Sequence, residues 1–325
     1  MEGNVSPWPQ RINRPRQTSD ARRDGGPCLP SALLLTKPGS SSGRRASIFG
    51  GHPVKNVVCS LALALAALPA VAGNVTFSDP RGDDAGPGTY TYPTKAEYKK
   101  GSFDLTDIEI KDKGADLEIT LGVNAGIEDP WDSAKWPTPG NGFSLQMFQL
   151  YIDVDGKAGS GEKDALPGMN ATFADDSRWE KVIFVSPQAN KEVTTRLDQK
   201  AKAMKDKVVL PTKVSAKGKK VTALVKKADL GAGFDAAKVG WQVLVASNEG
   251  FDNQPGNGIL ARTVNEFEGE HRFGGGDDGD SDPNFVDCLA GAGKGGADEA
   301  AAQKAMLKFD AGTKQRAILK VVRGG

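Results

Sequence analysis

The chain has 325 residues, of which 42 are Lys or Arg and 41 are Asp or Glu, with only two His and three Cys. Nine of the basic and three of the acidic residues precede Gly73, so the remainder carries a formal charge of about −5, which argues against nucleic acid or an anionic membrane as partner. That remainder holds one Cys, Cys288, and one His, His271, which excludes an internal disulfide and a thiolate zinc cluster and leaves little for acid–base catalysis.

Residues 1–53 are rich in Pro, Arg, Ser and Gly and show no apolar period. They read either as a disordered extension or as sequence upstream of the true start at Val54. The second reading is preferred, because residues 54–72 (VKNVVCSLALALAALPAVA) have the form of a secretory signal peptide, cleaved between Ala72 and Gly73. Pro69 and the Ala-rich composition disfavour a membrane span. The expected mature protein, residues 73–325, is therefore secreted, periplasmic or attached to the cell surface.

Residues 77–93 (FSDPRGDDAGPGTYTYP) combine Gly and Pro, which break helices into turns, with the carboxylates of Asp79, Asp83 and Asp84. Hard oxygen ligands crowded in a non-helical loop suit Ca²⁺; the alternative is an acidic turn whose side chains cap their own backbone. Tyr90 and Tyr92 alternate, so they share a face. Residues 102–111 (SFDLTDIEIK) and 116–124 (DLEITLGVN) then alternate as a hairpin, with a phase slip at Thr106–Asp107 that predicts a bulge.

A Pro/Gly loop, residues 128–142, follows and carries Trp131 and Trp136 with Asp129, Asp132 and Asn141 nearby. Flat aromatic faces in such a loop could stack on sugar rings while the acids and the amide bond hydroxyls; the alternative is that the Trp residues anchor the loop. Residues 143–154 (FSLQMFQLYIDV) form the strongest strand, expected to be central, and run into Asp153 and Asp155, which could join a metal shell. Further strands are expected at 181–186, 207–210, 219–226, 239–247 and 316–322, with Trp179 and Trp241 in the core.

Residues 274–283 (GGGDDGDSDP) place Asp278, Asp280 and Asp282 at alternate positions beside Asp277, like the first half of a calcium loop, although no EF-hand follows. Residues 297–309 are the one convincing helix, with a shorter one near 228–230. Many short strands between Gly/Pro/Asp turns predict an all-β chain, a single β-sandwich over 73–325 with one short C-terminal helix.

Four stretches recur in this order in one family: FSDPRGDDAGPGTYTYP, GFSLQMFQLYIDVDG, DALPGMNATF and RFGGGDDGDSDPNFVD. By them the chain resembles the C-terminal module of glucodextranases and amylopullulanases, a DOMON-like, jelly-roll sandwich similar to family 9 carbohydrate-binding modules. The resemblance spans residues 75–289 and, less clearly, the last strand. It implies a non-catalytic module that binds a glycan or cell-wall polysaccharide, beside a separate glycoside hydrolase or an envelope protein. Some members of this sandwich class hold haem, for which Met147, Met169 or His271 would have to serve as ligands. A purely structural envelope protein that binds another protein is the third reading. The expected cofactor is structural Ca²⁺.

Overall fold

The computed structural model of the protein describes residues 73–249, 258–277 and 281–324; the proposed extension and signal peptide, and Asp278 and Asp280, lie outside the described residues. In chain order the strands are β1 (Val75–Ser78), β2 (Leu105–Asp112), β3 (Asp116–Val123), β4 (Gln146–Asp153), β5 (Ala171–Phe173), β6 (Lys181–Val185) and β7 (Val208–Val209). There follow β8 (Lys213–Lys217), β9 (Lys220–Lys226), β10 (Gly240–Ser247), β11 (Asp287–Cys288), β12 (Ala317–Leu319) and β13 (Val322–Arg323). The α-helices are α1 (Asn190–Lys200), α2 (Lys227–Leu230) and α3 (Ala297–Met306).

One sheet runs β1-β2-β3-β9-β8 and the other β11-β10-β4-β6-β7, with β13 also pairing with β10. The first sheet shows the half-buried alternation of a sheet with one wet face: in β3, Leu117, Ile119 and Leu121 point inward while Glu118 and Thr120 are less buried. The expected slip in β2 is present, as a register shift between Leu105 and Asp107.

The second sheet is buried on both faces. Phe148, Leu150 and Ile152 of β4 join Trp241, Val243 and Val245 of β10 in the core between the sheets. Their neighbours Met147, Tyr151, Leu244 and Ala246 fill a second core with Phe173, Trp179, Val193, Leu197 and Leu307. Two dry faces explain why β4 lacks a polar alternation, and β4 is central as expected, between β10 and β6. Trp179 and Trp241 are both fully buried.

Three expectations need correction. Residues 316–322 are not one strand: β12 pairs in parallel with β5, and the chain then crosses so that β13 pairs with β10. Helix α1 was not foreseen, because its two Thr and one Val weaken helix propensity; it is held by Val193 and Leu197, one turn apart, against the second core. The C-terminal helix ends at Met306, short of the expected Phe309.

Candidate metal centre

The first acidic loop leaves β1 at Ser78 and turns at once. The backbone N–H of Asp79 donates to Thr106 O (2.9 Å), which keeps the loop pinned to β2. Gly82, at φ 87°, donates its N–H to Asp104 Oδ2 (2.8 Å), a conformation suited to glycine. These bonds aim Asp79 and Asp83 inward, where Asp287 of β11 arrives from the other sheet. One carboxylate oxygen from each of Asp79, Asp83 and Asp287 lies within 4.8 Å of the others. Oxygens on opposite sides of a Ca²⁺ ion are separated by about that distance, since each bond is about 2.4 Å.

The hydrogen bonding of this trio is uneven. Asp79 is 5% exposed, and neither of its oxygens meets a hydrogen-bond donor; both oxygens of Asp83 are likewise buried without one. Asp287 is fully buried and accepts from Leu105 N (2.6 Å) and Cys288 N (2.8 Å), so it ties the two sheets together. Beside them Asp104 Oδ1 is also buried and unpartnered, while its Oδ2 accepts from Asn124 Nδ2 (2.9 Å).

Burial, followed by the charges of Asp83, Asp104 and Glu299, pushes the Asp79 carboxyl up to about 9. Burial and then Asp104 push Asp83 up to about 7, and burial with Asp79 and Asp83 raises Asp287 well above the carboxylate range. Without a cation this centre must take up protons or bear repulsion in a medium that screens it weakly. A divalent ion removes both penalties. The donors are oxygens and three are carboxylates, which fits Ca²⁺ rather than a metal that seeks nitrogen or sulfur.

Helix α3 closes one side. Gln303 donates from Nε2 to Asp83 O (2.7 Å) and accepts at Oε1 from Cys288 N (3.0 Å). Glu299 is itself satisfied: backbone N–H groups of Ala292, Lys294, Gly295 and Gly296 converge on its carboxylate, and these bonds hold it below its usual range. Asp84 is drawn away from the trio, accepting a hydrogen bond from Tyr92 Oη.

The other expected metal residues fall in two places. Asp153 and Asp155 meet Glu180, again with oxygens within 4.8 Å. There Asp153 pairs with Arg323 (2.6 Å) and accepts from Gly156 N (2.7 Å), while Asp155 accepts from Lys157 N (2.9 Å) and Ser160 Oγ (2.9 Å). In the second acidic loop Asp282 is buried against Asp277; burial and that charge push it up to about 8.

The residues expected to meet a sugar are mostly engaged within the protein. Trp136 is 6% exposed and donates from Nε1 to Trp131 O (3.1 Å). Asp129 caps the following turn through Ser133 N and Oγ, Asp132 pairs with Lys135, and Asn141 donates to Ser186 O and Gln188 O. Tyr90 is buried and donates to Pro283 O (2.8 Å), and Tyr92 packs on Phe103 and Phe273. Trp131 is half-buried, with the Arg262 guanidinium 5.6 Å from its ring centre and His271 edge-on at 5.7 Å. Met147 and Met169 are core residues.

Sequence reasoning missed Asp287 and Asp104. Each interrupts a buried apolar run, Val286-Asp287-Cys288 and Phe103-Asp104-Leu105, and an acid in such a run is the signal that was available. No helix among the described residues is long and apolar enough to cross a membrane.

No curated protein matches the chain. A family model does match, over residues 75–322, from the first strand to the last; the chain belongs to the family described as the SLH-like C-terminal binding module of glucodextranase.

Proposed function

We propose that the protein is an exported, non-catalytic module that binds a neutral glycan or cell-wall polysaccharide, with structural calcium at Asp79, Asp83 and Asp287. Membership of a binding-module family supports the ligand class, and a family named for glucodextranase makes a glucan the first candidate. The single observation behind the calcium is Asp79, a buried carboxylate whose oxygens meet no donor and which faces two further carboxylates. Asp282, raised by burial and Asp277, marks the other acidic loop as a second cation position. Asp104 adds to the unanswered charge here: its Oδ1 is buried without a donor and its charge raises Asp79.

The reading is non-catalytic because the matched family is a binding module, and the buried acids of the centre are out of a substrate's reach. Glycoside hydrolysis needs two carboxyl groups that reach the scissile bond from either side. Asp79 and Asp287 lie 5% and 0% exposed, beyond the reach of a polymer. Export through a signal peptide at 54–72 agrees with calcium being available outside the cell. The test is a glycan array probed with the calcium-loaded and the EDTA-treated protein, together with elemental analysis. Binding of a neutral glycan by a protein that carries about one equivalent of calcium or more is the expected result. An array blank in both states would remove the carbohydrate reading, and protein free of calcium after dialysis against it would remove the metal.

A further inference from the structure

With Tyr90 and Trp136 buried and Trp131 and Tyr92 packed against the core, the described residues hold one exposed aromatic ring. Phe267 is 73% exposed, whereas the other exposed large apolar residue, Ile318, has no π face to offer. A single exposed apolar side chain is ordinary, so the case for Phe267 rests on how it is held and what surrounds it.

It sits on the loop of residues 265–274. The loop is closed by Gly269 N to Arg272 O (3.0 Å) and Asn265 N to Phe273 O (2.9 Å). Thr91 and Gly274 exchange two backbone bonds of 3.0 Å, and Thr94 N and Lys95 N donate to Gly269 O and Glu270 O, so the tip is strapped to residues 91–95. At Gly274 a Cβ would come 2.2 Å from Glu268 N and 2.7 Å from Phe267 C; only glycine lets the chain pass this close to the backbone that carries the ring. On the underside Phe273 is buried against Tyr92 (4.9 Å) and Phe103 (5.1 Å). The ring is thus offered to solvent on a rigid support, which lowers the entropy cost of using it.

Three exposed carboxylates, Glu266, Glu268 and Glu270, lie within three residues of Phe267 in the same loop. Thr91 Oγ1 donates to Glu268 (3.2 Å), and Glu270 lies 3.5 Å from Lys95. An exposed apolar ring with acceptors in the same loop suits a pyranose, whose C–H face is apolar and whose hydroxyl edge donates. The same acidic rim repels a sulfated or uronate polymer.

We infer that Phe267 is the stacking platform for a neutral sugar ring and that Glu266, Glu268 and Glu270 accept from its hydroxyls, an assignment that rests on the carbohydrate reading above. The test is affinity electrophoresis of the full chain in gels containing dextran, pullulan, xylan or dextran sulfate, with wild type, Phe267→Ala and Phe267→Trp. Wild type should be retarded by at least one neutral polymer and not by dextran sulfate. Phe267→Ala should bind that polymer about fivefold more weakly, the factor that corresponds to one aromatic contact, and Phe267→Trp at least as tightly as wild type. Because the ring is exposed, the melting temperatures should agree within about two degrees. Wild-type affinity in Phe267→Ala would overturn the stacking role and leave the carbohydrate reading standing. Retardation of wild type by none of the neutral polymers would overturn both. Stronger retardation by dextran sulfate would overturn the neutral ligand class.

Discussion

Two clusters in this molecule each bring oxygens of three carboxylates within 4.8 Å of one another, and they differ in how much of that charge is answered. In the cluster of Asp153, Asp155 and Glu180 only Glu180 Oε1 is buried without a partner, and burial raises Glu180. Asp153, Asp155 and Glu180 are served by Arg323, by the N–H groups of Val154, Gly156 and Lys157, and by Ser160. Asp79 and Asp83 have neither a cation nor a donor, and only Asp287 in that group accepts backbone bonds. Burial and mutual repulsion push Asp79 to about 9, while hydrogen bonds from Lys157 N and Ser160 hold Asp155 below its usual range. Closeness of carboxylates is common to both clusters; under the calcium reading proposed above, what singles out the first is charge that the protein itself leaves unanswered.

The largest test of this contrast is removal of the ion. At a free Ca²⁺ concentration a hundredfold above the dissociation constant, binding should stabilise the fold by about 2.7 kcal/mol. Thermal unfolding in millimolar Ca²⁺ against excess EDTA should then differ by roughly 5–10 °C. Identical curves would place both clusters in the same self-sufficient class.

Next in size is Asp79→Asn, which keeps the shape and removes the charge. We expect at least half of the calcium response to vanish. In EDTA the variant should be as stable as wild type or more so, because the cost of keeping a buried carboxyl protonated has gone. Asp155→Asn, made as the counterpart, should leave the calcium response intact. A loss of response in Asp155→Asn alone would reverse the assignment of the two clusters.

The pH dependence in EDTA has a definite sign. Asp79 and Asp83 have folded values of about 9 and about 7 against 3.8 for an ordinary Asp carboxyl, so the folded state holds protons that the unfolded chain has lost. Stability contributed this way is complete below about pH 4 and falls as pH rises through 7 towards 9. The EDTA-treated protein should melt several degrees higher at pH 5 than at pH 8, and added Ca²⁺ should flatten or reverse that slope. A slope unaffected by Ca²⁺ would assign it to other groups.

The smallest effect is expected from Arg323→Gln. The arginine side chain is 42% exposed whereas Asp153 is buried, and Asp153 keeps the bond from Gly156 N, so melting should fall only slightly. Removing it takes the cation from the second cluster, and calorimetry should then detect an additional, weak calcium equivalent. An unchanged titration would mean that the backbone donors alone satisfy Asp153, Asp155 and Glu180.

Much of the fold was legible because a strand with one wet face writes its burial into alternate residues. Leu117, Ile119 and Leu121 were readable in that way, and so was the slip beside Asp107. Helix α1 was not, since Val193 and Leu197 are its only buried residues and its local propensity is weak. At the candidate centre the loop of Asp79 and Asp83 was visible by composition. Asp287 was passed over for the denser Asp277–Asp282 run ahead of it, although it lies in the same stretch. Trp136 looked like an exposed loop aromatic because nothing nearby in the chain announces that its indole N–H will bond Trp131 O.

From the sequence alone follow the strand periods, the Gly/Pro turns and the acidic composition of two loops, because each is set by neighbours a few residues apart. Tertiary structure decided which carboxylates meet and which are answered. Asp79 and Asp287 are separated by more than two hundred residues, and they share a site only because β1 with its following loop and β11 come together where the two sheets meet. Asp153 is paired with an arginine of the last strand, 170 residues away in sequence. Coulomb energy and desolvation depend on distance in space and on exclusion of water, and neither can be read from spacing along the chain.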